Sequence, residues 1–411
     1  MKVVLISPPA MDLVGDRLMV LGMDATQECP PYGLYLLAAI LRHGGHDVRL
    51  IDLTSERSCS IANHGVDLED ASLIGLGATS LSWATAVDVI RQVRRIHEHV
   101  PIVLGGVHPT MFDEYMLTVF PIQFVIRGEA EVALPALCKA LEERLDLGAV
   151  PNLSWRSDSG RIVRNPIGTK LSGVQLAASP LPDYGSLPWR IYNGLPIESS
   201  RGCAFDCAFC STSYRKTWRA MPAEDFVSRL SVTMQHLDRT KHGVVQIIDD
   251  EFSTNVARAC DIATAIHDKG LAPKLIYNSR AHDFLDDAYA DAIAPLTHQL
   301  LIGAECGYDE GLKRVGKQIT CETLERAAAQ LCRHGISERA DFSFILGLPW
   351  ESKAEVTKTI NFATHLSATW GVRILLQWYL LLPGSRLWDE ASRNQMVTEA
   401  IVVVDENALH A

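Results

Sequence analysis

The chain has 411 residues, 47% of them hydrophobic and 21% charged, and its 38 Lys and Arg against 49 Asp and Glu give a net charge of −11. That length exceeds one ordinary core and predicts two or three domains, while the acidic balance argues against a general nucleic-acid surface, which would be basic. The opening "MKVVLISPPAMDLVGD" lacks the apolar run of a signal peptide, and no stretch approaches the ~18 apolar residues of a membrane span; a cytoplasmic protein with no membrane partner is expected.

Over residues 1–145 short strands alternate with helices. "KVVLISPP" predicts a buried strand stopped by proline, and "GLYLLAAILRHGG" a helix that ends in glycines. "HDVRLIDL" and "ASLIGLGATS" read as strands, and "ATAVDVIRQVRRIHEH" as an amphipathic helix. "PIVLGGVHPT" and "QFVIRGEAE" read as strands that run into glycine turns, and "VALPALCKALEE" closes the series as a helix. This alternation predicts a doubly wound parallel sheet covered on both faces, with ligands at the carboxyl ends of its strands. Those ends hold Pro8, Thr79, Ser80, Gly105, Gly106, His108, Gly128 and Glu129. Residues 146–196 read as a linker with a hairpin around Asp158–Gly160. From 197 to 391 a second series has strands near "PIESS", "GVVQIIDDEF", "PKLIYNSRA", "QLLIGAECG", "ADFSFILGLP" and "RILLQWYLLLP". Six βα units fall short of an eightfold barrel and predict a partial, open one, with chemistry at the strands' carboxyl ends. Residues 392–411 form a short tail.

Ten cysteines punctuate the chain, and three of them, Cys203, Cys207 and Cys210, lie within eight positions in "SSRGCAFDCAFCSTS". In a chain without a leader such a group reads as a metal site rather than a disulfide framework. A structural zinc site wants a fourth protein ligand, and a zinc enzyme more often uses histidine; neither is evident nearby. Iron–sulfur clusters take thiolates, and three cysteines on a cubane leave one iron free for a small chelating molecule. The spacing favours the cluster.

C-x3-C-x2-C with Phe209 before its last cysteine resembles the signature of radical S-adenosylmethionine (SAM) enzymes. The resemblance continues through "IIDDEF", "NSRA", "IGAECGYDEGLKRVGKQIT", "FILGLPWES" and "LLPGSRLWDEA", strand-end motifs in the expected order. The first domain, with "PPYGLYLLAAILRHGGHDV", "GLGATS", "GGVHPT" and "RGEAE", resembles the cobalamin-binding domain fused to one branch of that family. Implied by the resemblance are a 4Fe–4S cluster on Cys203, Cys207 and Cys210, SAM on its open iron, and cobalamin at the strand ends from Pro8 to Glu129 named above. Also implied are a SAM site made by Phe209, Asp249, Asp250, Ser279, Arg280, Glu305, Gly347 and Leu348, and an electron donor such as flavodoxin or ferredoxin. The substrate is expected to be a small metabolite or a peptide. Local readings compete: Asp249 and Asp250 as helix caps, Arg280 as the structural ion-pair partner of Glu305, Gly105–Gly106 as a plain turn, and Trp350, Trp370, Trp378 and Trp388 as core. No D-x-H-x-x-G follows the first strand and the first histidine is His43, so cobalt is expected to lack a protein histidine.

The family's logic makes a methyltransferase the leading expectation. One SAM would methylate cob(I)alamin, and a second would give the 5′-deoxyadenosyl radical that takes hydrogen from an unactivated carbon. Methylcobalamin would then deliver the methyl group. The alternatives are cyclisation, ring contraction or rearrangement of a natural product without methyl transfer, or a cobalamin- or cluster-binding carrier or sensor without turnover.

Overall fold

The computed structural model describes residues 1–14, 17–20, 29–157 and 159–396. Asp158, at the tip of the expected hairpin, and most of the expected tail lie outside them. The chain divides into two units: Met1–Leu171 with Ser179–Tyr192, and Ser172–Ala178 with the described residues from Asn193 onward.

In the first unit five parallel strands stand in the order β4-β1-β5-β6-β7: β4 is Asp47–Asp52, β1 Lys2–Ser7, β5 Leu73–Gly77, β6 Ile102–Gly105 and β7 Phe124–Ile126. Val3–Ile6, Ile102–Leu104 and Phe124–Ile126 are fully buried runs, as strands covered on both faces require. The helices Tyr32–His43 and Trp83–Ile96 run between them and Ala133–Glu143 follows β7; the first stops at Gly44–Gly45, with Gly45 at φ 82°. Strand order reverses beside β1, which places the binding crevice of such a sheet at the carboxyl ends of β1 and β5. Two features depart from the expectations. Between β1 and the first helix, β2 (Met11–Val14) and β3 (Arg17–Val20) pair antiparallel where a loop is expected. The hairpin expected in a linker is part of the sheet: β8 (Leu153–Arg156) pairs antiparallel with β7, and β9 (Ile162–Arg164) with β8. Its residues close the edge of the sheet, so the first unit runs past 145.

The second unit is a parallel sheet of six strands in sequence order, β10 (Gly194–Ile197), β13 (Val244–Ile247), β14 (Lys274–Ser279), β15 (Thr297–Glu305), β16 (Ala340–Leu346) and β17 (Arg373–Trp378). Helices follow each of the first five, the longest being Lys353–Trp370. This is the six-unit partial barrel the sequence predicts. Register slips in β15 between Gly303 and Glu305, a bulge that re-aims the end of the strand. Among the described residues no helix is long and apolar enough to cross a membrane.

Candidate active site

Strand β10 feeds the cysteine loop through Glu198, Ser199 and Ser200. β11 (Ser200–Arg201) pairs antiparallel with β12 (Arg219–Ala220), so residues 202–218 form a closed excursion. Gly202 starts it at φ 82°, and a Cβ there would lie 1.9 Å from the Thr217 carbonyl oxygen; only glycine fits. The Cys203 amide donates to the Tyr214 carbonyl at 3.3 Å, and the Cys210 amide to that of Cys207 at 3.2 Å. Ala208, beside Cys207, is held on both sides: its amide donates to the Val315 carbonyl at 2.8 Å, and its carbonyl accepts from the Leu387 amide at 3.0 Å.

The three thiols form no disulfide and are half-buried; Cys210 Sγ accepts from the Thr212 amide at 3.5 Å. Burial pushes Cys203 up to about 11, with Glu251, Cys207 and Asp250 adding in the same direction, and burial also raises Cys210. Such thiols stay protonated against water and give up their protons to a metal. Among the described residues no three His, Cys, Asp or Glu side chains converge on one ion. A thiol-only set on one tightly framed loop fits an iron–sulfur cluster better than the zinc sites considered above.

The predicted SAM residues other than Phe209 lie at the carboxyl ends of the barrel strands, but several have partners the sequence does not announce. Asp249 is buried, with Oδ1 accepting from the Ser199 amide at 2.7 Å and Oδ2 from the Ser199 and Ser200 hydroxyls at 2.6 Å each. Its oxygens therefore anchor the entry to the cysteine loop. Asp250 accepts from Thr212 Oγ1 at 3.0 Å, within the same loop; neither aspartate caps a helix. Phe209 lies half-buried between Ala208 and Cys210.

Glu305 sits at the bulge with φ 62°, a strained conformation for a residue with a side chain. Its Oε1 accepts from the buried Lys317 Nζ at 2.8 Å. Burial alone would pull Lys317 down, yet Glu305 holds it above the ordinary lysine value. Lys317, not Arg280, is thus the ion-pair partner. Arg280 instead donates to the Lys317 carbonyl and lies 3.7 Å from the centre of the Phe205 ring, a cation–π contact that ties β14 to the cysteine loop. Gly303 has no room for a Cβ, which would stand 2.2 Å from Glu305 Oε1.

Ser279 enters a buried network. Ser253 Oγ is 2.5 Å from Ser279 Oγ, 2.8 Å from Glu251 Oε1 and 2.6 Å from Asp283 Oδ2. One hydroxyl has one proton to donate, so it serves both carboxylates only when one of them is itself protonated. Glu251 suits that role, since burial and then Asp283 raise it to about 7. At the end of β16 the amides of Gly347 and Leu348 donate to Glu351 Oε2 at 2.8 and 3.0 Å. Gly347 has φ 79° and faces the Trp378 ring, 3.3 Å from where its Cβ would be. Trp378 is 73% exposed, so it is not core; Trp388 is buried as expected. Lys317, Glu251, Ser253, Asp283 and Glu351 escape the sequence reading, although Lys317 lies inside a quoted motif and Glu251 adjoins the paired aspartates.

The first unit gathers its predicted residues at the ends of β1, β5, β6 and β7. Thr79 and Ser82 cross-bond, with amide-to-hydroxyl distances of 3.0 and 3.3 Å. Gly77 has open space around its missing side chain, and Gly105 nearly so, leaving an unfilled crest. Gly106 is different: at φ 94°, its Cβ would lie 2.5 Å from the Ala78 carbonyl oxygen. It is needed for the close approach of two strand-end loops. His108 is buried, with Nδ1 3.1 Å from Ser80 Oγ and its ring stacked 5.0 Å from Trp83. Burial lowers it to about 4, and Nε2 is enclosed without a partner, so neither nitrogen is presented to a ligand at the crest. Glu129 accepts from the Leu171 amide at 2.9 Å, and the Gly128 amide donates to Thr110 Oγ1 at 3.0 Å; both fasten loops. An open, small-residue crest whose His108 is buried fits a cobalamin bound without a protein imidazole.

Two family models match: "B12 binding domain" over residues 19–138 and "Radical SAM superfamily" over residues 197–363. The chain is 30% identical over 408 residues to the uncharacterized methyltransferase PH0819 of Pyrococcus horikoshii, covering 97% of this chain and 84% of that protein. It is 24% identical over 361 residues to the anaerobic magnesium-protoporphyrin IX monomethyl ester cyclase of Rubrivivax gelatinosus, covering 83% of this chain and 63% of the cyclase. The fold matches that of the radical SAM methyltransferase TsrM from Kitasatospora setae, solved with cobalamin and a [4Fe–4S] cluster: the TM-score is 0.72 at 18% identity, over 96% of this chain and 75% of TsrM. With a B12-binding domain, a radical SAM domain and this similarity along nearly its whole length, the chain is an enzyme of the cobalamin-dependent radical SAM family.

Proposed function

We propose that this enzyme methylates an unactivated carbon of a small metabolite or peptide. The observation that carries the reading is the pairing of two sites in one chain: three thiols on a framed loop at the mouth of a parallel barrel, and an open crest at the switch point of a parallel sheet. When bound, the cluster supplies the electron that breaks the sulfonium of SAM, and cobalamin supplies a methyl carrier.

The chain's own residues divide the work. Cys203, Cys207 and Cys210 would hold the cluster, and Asp249 with Ser199 and Ser200 fixes the strand from which they hang. Glu305 and Lys317 would offer their ion pair to the ribose hydroxyls and carboxylate of SAM. Asp250 and Glu251 would take its amino group, and Gly347, Leu348 and Phe209 its adenine. In the other domain Pro8, Thr79, Ser80 and Gly105 would border the corrin. Similarity to the cyclase favours one rival, a ring-forming reaction of the same radical. Thiolate cluster ligands suit a reducing compartment such as the cytoplasm.

Anaerobic reconstitution followed by absorption spectroscopy and iron analysis tests the cofactor assignment. The expected result is one 4Fe–4S cluster, its loss in each of Cys203→Ala, Cys207→Ala and Cys210→Ala, and a corrinoid spectrum without an imidazole ligand. Iron retained at the wild-type level in all three variants refutes it.

A further inference from the structure

We propose that the outer side of the cysteine loop is the docking surface of an acidic one-electron carrier protein; the proposal rests on the cluster assignment above. Three cations converge on one carboxylate. Lys216 Nζ is 2.8 Å from Asp206, Arg215 3.6 Å and Arg386 3.7 Å, and Arg386 also donates to the Asp206 carbonyl at 2.9 Å. The group keeps an excess of two positive charges, and the side chains of Lys216 and Arg386 are 69% and 49% exposed. Lys313 and Arg314, both exposed, occupy the last turn of the helix Asp309–Val315. That turn ends at Val315, whose carbonyl holds Ala208. Cys207 is the residue between Asp206 and Ala208, so a partner seated on these cations stands next to a cluster ligand.

The setting makes the patch selective. A chain of net charge −11 repels an acidic protein at long range. Charges beyond the Debye length of about 8 Å at physiological salt are screened, so local complementarity decides where such a partner docks and how fast. In the transfer the carrier loses one electron and the cluster gains it; no group moves to this chain.

The test mixes cluster-loaded protein in a stopped-flow instrument with either flavodoxin hydroquinone, an acidic carrier, or the methyl viologen radical, a small cation. Lys216→Glu/Lys313→Glu is the variant of choice, because Arg386 also fixes the loop backbone. The variant is expected to take electrons from flavodoxin about tenfold more slowly at low salt, with a flattened salt dependence, and from the viologen at an undiminished rate. Equal flavodoxin rates in both proteins overturn the proposal. So does equal slowing with both reductants, which would mark damage to the cluster. Normal reduction by flavodoxin with impaired viologen-driven product formation would assign the patch to the substrate and also overturns it. A protein that takes up no cluster, visible before mixing, fails the assignment beneath.

Discussion

Glu305 combines a strained backbone, at φ 62°, with a buried ion pair 2.8 Å long. Removing one member of such a pair leaves an uncompensated charge and costs about 3–5 kcal/mol, whereas replacing both by apolar or neutral groups is often close to neutral. Lys317→Met is therefore expected to destabilise the barrel by about 3–5 kcal/mol, and Glu305→Gln/Lys317→Met to recover most of that loss. SAM affinity should stay reduced in both, because the groups that meet the ligand are gone. Denaturant unfolding of the cluster-free protein and equilibrium binding of SAM to the reconstituted one measure the two effects. Full SAM affinity in the double variant would return the pair to a purely structural role. The sequence discloses that a carboxylate between glycines on a buried strand end needs a cationic partner. It does not disclose which one, because the choice depends on how the chain returns after the helix Asp309–Val315. For the same reason it shows Asp249 at a strand end but not its three bonds to Ser199 and Ser200.

At the level of elements the periodic signals read well. Buried apolar runs mark the parallel strands, and glycine stops mark helix ends. The β8–β9 hairpin is legible too, but its place in the sheet is not, since antiparallel pairing onto β7 is a tertiary choice. Gly106 shows how the sequence can mark a residue without disclosing what requires it. Its positive φ and the 2.5 Å approach to the Ala78 carbonyl mean that any side chain disrupts the junction of the loops after β5 and β6. Gly77, on the same crest, has open space instead. Gly106→Val is expected to lower the melting temperature of the first unit and lose cobalamin as a consequence. Gly77→Val should leave the melting temperature nearly unchanged and still weaken cobalamin retention, by filling the crest. Thermal unfolding of the apoprotein, paired with corrinoid content after reconstitution, separates the two. Full occupancy in a folded Gly77→Val would remove the crest from the cobalamin site.

For the whole molecule, the alternation of strands and helices discloses a doubly wound sheet and the thiols disclose a metal domain, whereas cobalamin is legible only through the motifs that resemble a known family. What the enzyme does with both is a matter of stoichiometry. Methylation of an unactivated carbon consumes two molecules of SAM: one surrenders its methyl group and leaves as S-adenosylhomocysteine, and the other is cleaved to methionine and 5′-deoxyadenosine, which carries the hydrogen taken from the substrate. Each product formed should therefore be matched by one equivalent of each nucleoside. A cyclisation or rearrangement gives 5′-deoxyadenosine with no matching S-adenosylhomocysteine, so the ratio discriminates even before the product is identified. Candidate substrates can be screened by mass analysis under anaerobic turnover, with Cys207→Ala as the control that should form neither 5′-deoxyadenosine nor product. A ratio near one, with the product heavier by a methylene unit, supports methyl transfer. Sustained 5′-deoxyadenosine formation and substrate loss without S-adenosylhomocysteine would move the enzyme to ring-forming chemistry, keeping the same cluster residues and changing only the fate of the substrate radical.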